Sequence, residues 1–256
     1  ALNKYQPNSR IHIKLDTGMN RLGISSSQLP SFLQALRSCP NLKVEGIFSH
    51  LSQADDPSKK TFTNRQISVF KKMTSIFEKA GFSFTWKHIA ATSGAETLVD
   101  PYFNLIRLGL GFYGYSPFGP HTKEGRRQRQ NLHPALTLNT HIALIKSLNK
   151  GVYVGYGGTY TAKQKETMAI LPLGYNEGIS RDLSNQGNFY LPDGTTCPII
   201  GRISMNMTTI KLPRQISPNI GDSIFAPSIY EQAQLLHTIP YTIITSLHPS
   251  IRRVLI

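Results

Sequence analysis

The first half of the chain alternates short apolar extended runs with amphipathic helical patterns, at intervals of about thirty residues. The extended runs are residues 11–15, 44–48, 84–90 and 105–108. Two strands that are separated by a helix need a crossover connection, and such a connection pairs them in parallel. The repeat therefore predicts four parallel βα units in this half of the chain.

The boundaries of the intervening helices follow from local residue choices. Apolar residues recur at helical spacing over 29–36, and Ser27 stands before them as a predicted cap. Asp56 followed by Pro57 predicts a capped start for the next helix, because proline is favoured in the first helical position. We expect that helix to end at Gly81.

The second half of the chain is rich in short β-type runs that are separated by turn residues. These runs are residues 137–148, 167–172, 198–203, 207–212 and 223–225. They predict a small antiparallel β domain, with one helix near residues 231–237.

The composition changes between the two halves, where Pro117, Gly119 and Pro120 predict a linker. We therefore divide the chain into a partial barrel, residues 1–115, and a β domain, residues 116–256. Four βα units are half of an eight-stranded parallel barrel. The expected fold class is thus α/β plus all-β: the C-terminal half of a (β/α)8 barrel followed by an antiparallel β domain. On the order of 100–120 residues of barrel are then expected ahead of this sequence.

The net charge is strongly positive, because 28 lysines and arginines stand against 14 acidic residues, which gives +14. Such a balance favours anionic ligands. The one local basic cluster, residues 123–129, has no aromatic residues interleaved with it, so we expect no nucleic-acid partner. No apolar run reaches the roughly 18 residues of a membrane helix. Two cysteines cannot staple a chain of 256 residues, which favours a reducing, cytoplasmic compartment.

Polar groups follow all four predicted strands, at the edge of a parallel sheet where active sites gather. These are Lys14, His50, Ser93 and Arg107. Taken singly, each has an ordinary structural explanation, such as a solvated lysine or a serine that caps a helix. The Ser93 hydroxyl and the backbone N–H groups of residues 109–110 follow two successive strands, which suits a phosphate dianion. The pattern predicts a phosphorylated ligand at this edge.

The β half carries three glycine-containing segments in which the backbone can approach a ligand closely. Tyr156 lies between glycines in residues 154–160, and Tyr175 follows a glycine in residues 172–175. Residues 201–207 form a third such segment. Tyrosines in this setting present a phenol to a ligand, although packing would explain each of them equally well.

Together these segments resemble the alanine racemase family. The matching segments are residues 12–23 (HIKLDTGMNRLG), 49–50 (SH), 106–110 (IRLGL), 155–160 (GYGGTY), 173–175 (LGY), 201–205 (GRISM) and 238–241 (TIPY). They occur in family order and cover nearly the whole chain. The resemblance implies a (β/α)8 barrel with a C-terminal β domain, pyridoxal 5′-phosphate (PLP) as the cofactor, and interconversion of L- and D-alanine to supply D-alanine for the cell wall.

The resemblance also implies roles for individual residues. His50 would pack against the PLP ring, Arg107 would face its pyridine nitrogen, and the phosphate would be held by Ser93, Gly109, Leu110 and Tyr241. Arg21 and the backbone of Met205 would bind the substrate carboxylate. Lys14 would be the carbamate candidate, a lysine whose modification orients Arg21. Tyr156 would be the catalytic acid and base, and Tyr175 would line the entrance.

Two further implications concern assembly and metals. In the family the tyrosine that matches Tyr156 reaches the PLP of the partner subunit, which implies a homodimer with shared active sites. We expect no metal in the site and no membrane partner.

The sequence departs from the family pattern at several positions. Asn206 stands where an aspartate is usual, Ser204 where a cysteine is usual, and Thr92 where an asparagine is usual. No lysine of the chain sits in the motif of the lysine that binds PLP covalently, which the family carries in the first barrel strand. We therefore expect this chain by itself neither to bind PLP covalently nor to racemise alanine. The alternatives are a racemase of another small amino acid and an inactive fragment with a binding role.

Overall fold

The computed structural model of the protein describes residues 2–119 and 122–255. Contacts within the chain divide it into two compact units, Ala1–Ala135 and Leu136–Ile256. Within the described residues no helix is both long enough and apolar enough to span a bilayer.

The first unit is a three-stranded parallel sheet with helices in its connections. Its strands are β1 (Arg10–Lys14), β2 (Lys43–Phe48) and β3 (Trp86–His88), in the spatial order β1-β2-β3. Its α-helices are α1 (Leu2–Tyr5), α2 (Leu29–Arg37), α3 (Lys60–Lys79), α4 (Thr92–Thr97) and α5 (Lys123–Asn131). Single 3₁₀ turns are formed by Ser26–Gln28, Pro57–Lys59 and Leu110–Tyr113. The first three predicted strands and the two helices between them are thereby confirmed.

Helix α3 forms where capping and periodicity predict it, whereas the predicted cap of α2, Ser27, is wrong: Ser25 is the N-cap of the 3₁₀ turn that leads into α2. The Asp56 carboxylate accepts the Ser58 N–H at 2.9 Å at the entry to the turn that precedes α3. Helix α3 buries Phe70 and Phe77 in the core of this unit, together with Ile47 of β2. Burying an aromatic or aliphatic side chain of this size contributes about 1.5–3 kcal/mol. The apolar stripe of α3 therefore fixes the position of β2 and of the groups at its carboxyl end.

The predicted fourth strand, residues 105–108, is wrong, since these residues form no strand in the structure. The Asn104 side chain accepts the Lys87 N–H at 2.9 Å and donates to the Thr85 carbonyl at 2.7 Å. It thereby takes the backbone partners that a fourth strand would need on β3. Arg107 still donates its N–H to the Ala90 carbonyl at 3.1 Å, so the segment stays beside β3 without forming a ladder.

The predicted linker instead returns to the first unit. Residues 123–131 form α5, and Arg127 of this helix pairs with Glu96. At the end of the segment, Ala135 donates its N–H to the Tyr113 carbonyl at 3.0 Å. The structural division thus differs from the predicted boundary by residues 116–135, because these contacts hold them to the first unit. Pro120 lies outside the described residues.

The second unit is built from short antiparallel strands. Its strands are β4 (Asn139–His141), β5 (Leu144–Leu148), β6 (Tyr153–Val154), β7 (Tyr160–Thr161), β8 (Glu166–Leu171), β9 (Asn188–Tyr190), β10 (Thr196–Pro198), β11 (Thr208–Leu212) and β12 (Ser223–Phe225). They form the sheets β10-β9-β12-β4, β11-β8-β5 and β6-β7. Two helices follow, α6 (Ile229–Leu235) and α7 (Pro240–Ser246). The predicted antiparallel β domain is confirmed, with a second helix that was not predicted.

Two predicted runs of the second unit are divided in the structure. Run 137–148 changes sheets at its centre: Ile142 donates to the Asp222 carbonyl beside β12, and Ala143 donates to the Ile170 carbonyl of β8. One continuous strand cannot serve both sheets, so the chain forms β4 and β5 instead. Run 198–203 leaves β10 after Pro198 and continues as irregular backbone.

Candidate functional site

Arg107 lies at the carboxyl ends of the strands of the first unit, where its guanidinium donates to four groups. Its Nη2 donates to the Ser49 carbonyl at 2.9 Å, to the Ile89 carbonyl at 3.3 Å and to His50 Nδ1 at 3.0 Å. Its Nη1 lies 2.5 Å from His88 Nδ1. These contacts hold the guanidinium plane in one orientation beside the His50 ring.

The same contacts fix the tautomers of two histidines. Arginine has only donors, so His88 Nδ1 must accept, and its proton must lie on Nε2. His88 Nε2 then donates to His12 Nδ1 at 2.8 Å. Burial and the neighbouring positive charge of Arg107, with a further contribution from His12, lower the pKa of His88 to about 4. His88 is therefore neutral at physiological pH, and Arg107 keeps its positive charge.

Three cations surround His50. Burial lowers the pKa of His50, and the charges of Arg107, Arg21 and Lys14 lower it further. Lys14 Nζ and the Arg107 guanidinium carbon lie 5.6 Å and 5.4 Å from the centre of the Phe48 ring. The structure thus brings Lys14, His50 and Arg107 together with Arg21, and it keeps the His50 ring neutral among positive charges.

A buried polar network fixes the backbone that carries His50. The Ser49 hydroxyl donates to the Leu15 carbonyl at 2.7 Å and lies 2.8 Å from the Thr17 hydroxyl. The Gln66 amide, buried on α3, donates to the His50 carbonyl at 3.1 Å. Buried hydrogen bonds of this kind leave the strand ends little freedom to move.

The predicted phosphate-binding groups are arranged around Thr92. Its hydroxyl oxygen accepts the N–H groups of Gly109 and Gly111, at 3.1 Å and 3.3 Å. The neighbouring Ser93 hydroxyl makes no hydrogen bond to another described residue. Leu110 begins a 3₁₀ turn, and the first N–H groups of such a turn have no partner inside it. A serine hydroxyl and main-chain N–H groups are donors that suit a phosphate.

A cavity of about 770 Å³ lies within the second unit. Its lining is Tyr156, Tyr175, Gly178, Ser180, Arg181, Ile203, Ser204, Met205, Ile243 and Ser246. The predicted base, the predicted entrance residue and the predicted carboxylate-binding residue thus share one cavity. Tyr156 stands in a 3₁₀ turn, Tyr156–Gly158, and is 68% exposed.

The predicted residues fall into two groups, one in each unit. Lys14, Arg21, His50, Ser93, Arg107, Gly109 and Leu110 belong to the first unit, and Tyr156, Tyr175, Met205 and Tyr241 to the second. Tyr241 lies in the first turn of α7, which also contributes Ile243 to the cavity lining. No three His, Cys, Asp or Glu side chains of the described residues form a group that could hold a metal ion.

Sequence reasoning missed His12 and His88. His88 accepts a hydrogen bond from Arg107 and donates one to His12, and this chain of bonds orients the guanidinium. Both lie within predicted strands, His12 in residues 11–15 and His88 in residues 84–90. A histidine inside an otherwise apolar strand that ends at a candidate site is the signal that could have identified them.

Comparison with known proteins identifies the family. Residues 1–117 match the model of the alanine racemase N-terminal domain, and residues 135–255 match that of the alanine racemase C-terminal domain. The chain belongs to the alanine racemase family. Its fold is accordingly of the kind found in that family, a barrel domain and a β domain.

Curated alanine racemases resemble the chain along almost all of its length. The alanine racemase of Cutibacterium acnes is 34% identical over 254 residues, which cover 96% of this chain and 66% of the relative. Alanine racemase 2 of Bacillus subtilis is 35% identical over 253 residues, which cover 95% of this chain and 63% of the relative. The chain thus spans slightly less than two thirds of the length of these racemases.

Solved structures of alanine racemases show the same relationship. The enzyme from Streptomyces coelicolor is 31% identical with a TM-score of 0.88, and the match covers 97% of this chain and 66% of that one. The alanine racemase of Bartonella henselae, solved with covalently bound pyridoxal phosphate, is 26% identical with a TM-score of 0.81, covering 96% of this chain and 66% of that one.

Proposed function

We propose that this chain supplies the C-terminal half of the (β/α)8 barrel and the β domain of a PLP-dependent alanine racemase, an isomerase that interconverts L- and D-alanine. The observation that carries the proposal is the orientation of Arg107 by four acceptors beside a neutral His50. Membership of the alanine racemase family supports it.

The residues present fit the cofactor. Arg107 offers guanidinium donors to a ring nitrogen, and the flat His50 ring beside it offers a face on which a second ring can pack. The Ser93 hydroxyl and the main-chain N–H of Leu110 are donors for a phosphate, with Gly109 and Tyr241 as the further candidates. The positive charges of Arg21 and Arg107 favour a dianionic ligand at this edge.

When bound, PLP withdraws electrons from the α-carbon of an attached amino acid, which acidifies its α-proton. Arg107 can donate a hydrogen bond to the ring nitrogen but does not transfer a proton, because arginine remains charged at any physiological pH. His88 is neutral, so it does not change the positive charge of Arg107. This restricts charge build-up on the ring and favours return of the proton over side reactions.

Racemisation removes the α-proton on one face and returns a proton on the other. We assign one face to the hydroxyl of Tyr156, a residue that lines the cavity of the second unit. Family resemblance assigns the other face to a lysine of the first barrel strand. Arg21 and the Met205 main-chain N–H bind the substrate carboxylate, carbamylated Lys14 orients Arg21, and Tyr175 narrows the entrance.

The proposal includes a homodimer in which Tyr156 acts in the site of the partner subunit, in the cytoplasm. It also includes inactivity of the chain by itself, because none of its lysines matches the family lysine that binds PLP covalently. The length of the relatives outside the match, about a third, is where that lysine belongs.

The experiment that tests the proposal extends this chain with the unmatched barrel segment of the Bacillus subtilis relative and adds PLP. The extended protein should racemise L-alanine, and Tyr156→Phe should lower kcat by about 10²–10⁴-fold, the usual contribution of an acid–base group. Tyr153→Phe is the matched control, because Tyr153 lies close in sequence, is 72% exposed and lines no part of the cavity. Near-normal racemisation by Tyr156→Phe would falsify the assignment of the base. A panel of L-amino acids tests the preference for alanine.

A further inference from the structure

Glu177 lies beside the cavity of the second unit and accepts hydrogen bonds from three groups. Its Oε2 accepts the Gly174 N–H at 2.7 Å, and its Oε1 accepts from the side-chain amides of Asn176 at 2.9 Å and Asn206 at 2.8 Å. Burial raises the pKa of Glu177, but these hydrogen bonds outweigh burial and leave the pKa below its ordinary value. The side chain is therefore a carboxylate at neutral pH.

The bond from Asn206 joins two loops that line the cavity, which we name the tyrosine loop (residues 173–178) and the carboxylate loop (residues 204–207). Main-chain bonds connect the same loops: Tyr175 donates to the Ser204 carbonyl at 3.1 Å, and Asn176 donates to the Met205 carbonyl at 2.9 Å. Gly174 permits this approach, because a Cβ there would lie 2.2 Å from the Ser204 oxygen. Glu177 thus belongs to the first loop and fastens the second through Asn206.

The chemistry of this contact explains why position 206 departs from the family pattern. An asparagine donates its Nδ2 hydrogen to the Glu177 carboxylate, whereas an aspartate would place two negative charges at hydrogen-bond distance. With a glutamate at position 177, the neutral amide of Asn206 can donate the hydrogen bond that links the two loops.

We propose that Glu177 is a positioning residue for the substrate carboxylate, acting through Asn206 to hold the main-chain N–H of Met205 in place. Within the described residues that N–H donates to no protein acceptor, so it is available to a ligand at the cavity wall. The inference rests on the proposed racemase function, in which Met205 binds the carboxylate.

Three variants test the contact by exchanging its donor and acceptor. Asn206→Asp sets a carboxylate against the Glu177 carboxylate and breaks the bond, whereas Glu177→Gln keeps an amide oxygen that can still accept from Asn206. The double variant Glu177→Gln/Asn206→Asp restores one donor and one acceptor in reversed order. Glu231→Gln is the control, because Glu231 accepts from the Tyr190 hydroxyl at 2.6 Å in the same unit and lines no part of the cavity.

Amide hydrogen exchange of Tyr175 and Asn176 is measured on this chain. Asn206→Asp should speed exchange about tenfold, the loss expected for one hydrogen bond to a charged group, whereas Glu177→Gln alone should change it less than about threefold and the double variant should recover most of the protection. In the extended racemase, Asn206→Asp should raise KM for alanine about tenfold with kcat changed less than about threefold, and the double variant should restore KM. Thermal unfolding of all four variants shows whether the unit remains folded.

Unchanged exchange and KM in Asn206→Asp, or a double variant no better than Asn206→Asp, would overturn the proposal. If a single variant does not fold, the double variant still decides, because recovery of folding and of slow exchange supports the contact and their absence refutes it. Failure of the racemase function is a separate result: it would appear as no racemisation of L-alanine by the extended parent protein and would leave the exchange data standing.

Discussion

Arg107 and His88 share a hydrogen bond in which Nη1 of the guanidinium lies 2.5 Å from Nδ1 of the imidazole. The bond forces the His88 proton onto Nε2, from which it is donated to His12 at 2.8 Å. Protonation of His88 at Nδ1 would remove the acceptor and place a second cation against Arg107. The orientation of Arg107 therefore depends on a histidine that stays neutral.

The stability of the protein should depend on pH through His88. Its pKa is about 4 in the folded chain, and about 6.5 is expected in the unfolded chain. Between these values the unfolded chain binds more protons, so the free energy of unfolding falls as the pH falls from about 6.5 to about 4. The loss attributable to His88 is on the order of 3 kcal/mol. Urea unfolding across this range measures it.

The control for this prediction is His88→Asn, whose side-chain oxygen can accept from Arg107 but does not titrate. The variant should show a shallower decline of stability below pH 6.5, with the remaining slope due to other groups whose pKa is lowered, among them His50 and several carboxylates. A decline as steep as that of the parent protein would assign the effect to other groups.

Thr92→Val should destabilise the loop that contains the predicted phosphate donors. The change removes the oxygen that accepts the N–H groups of Gly109 and Gly111 and leaves them without that partner. We expect a loss of about 1–3 kcal/mol in the free energy of unfolding, together with faster amide exchange at both glycines. Thr92→Ser keeps the oxygen and should retain slow exchange, and rapid exchange in the serine variant would contradict the assignment.

Gly114→Ala should be severely destabilising, because Gly114 has a φ of +77° and a Cβ there would lie 1.8 Å from the His133 carbonyl oxygen. Gly151 is a matched control: its φ is +85°, and a Cβ there meets nothing within 4 Å. Gly151→Ala should cost about 1 kcal/mol for backbone strain alone, and Gly114→Ala about 3 kcal/mol or more. Equal costs in denaturant unfolding would mean that the contact with His133 is absent in solution.

Tyr160→Phe should destabilise the second unit. Burial and the adjacent Glu166 carboxylate raise the pKa of Tyr160 to about 12, and its hydroxyl donates to Glu166 Oε2 at 2.5 Å. Without this donor, the ionic partner that the described residues leave to buried Glu166 is Lys211, at 3.5 Å. We expect a loss of about 1–3 kcal/mol. Tyr153→Phe, at an exposed position, should change stability by less than about 0.5 kcal/mol, and similar losses in the two variants would contradict the role of Glu166.

The sequence pattern predicted those elements whose cause is local. The apolar stripe that includes Phe70 and Phe77, and the Asp56 cap, act within a few residues of chain, so α3 could be recognised from its own sequence. The prediction of a strand at residues 105–108 is wrong because the Asn104 side chain takes the backbone partners of β3. The hydrophobic periodicity of a sequence carries no information about such a side-chain contact.

The residues of the candidate site could be predicted from the sequence, but the histidines that orient them, His12 and His88, could not. The motifs predicted Arg107 and His50, and the structure joins them by a hydrogen bond of 3.0 Å. His12 and His88 are 76 positions apart and meet only because β1 and β3 flank β2. Such a contact is set by sheet order, which a single sequence does not encode in any local signal.

Gly174 packs against the carbonyls of Ser204 and Met205 with no room for a methyl group. A movement of the loop that carries Tyr175 would therefore also move the loop that carries Met205. Under the proposed racemase function, in which Tyr175 narrows the entrance and Met205 binds the substrate carboxylate, a displacement of Tyr175 also displaces Met205. Variants designed to admit a larger amino acid would therefore need compensating substitutions in both loops at once.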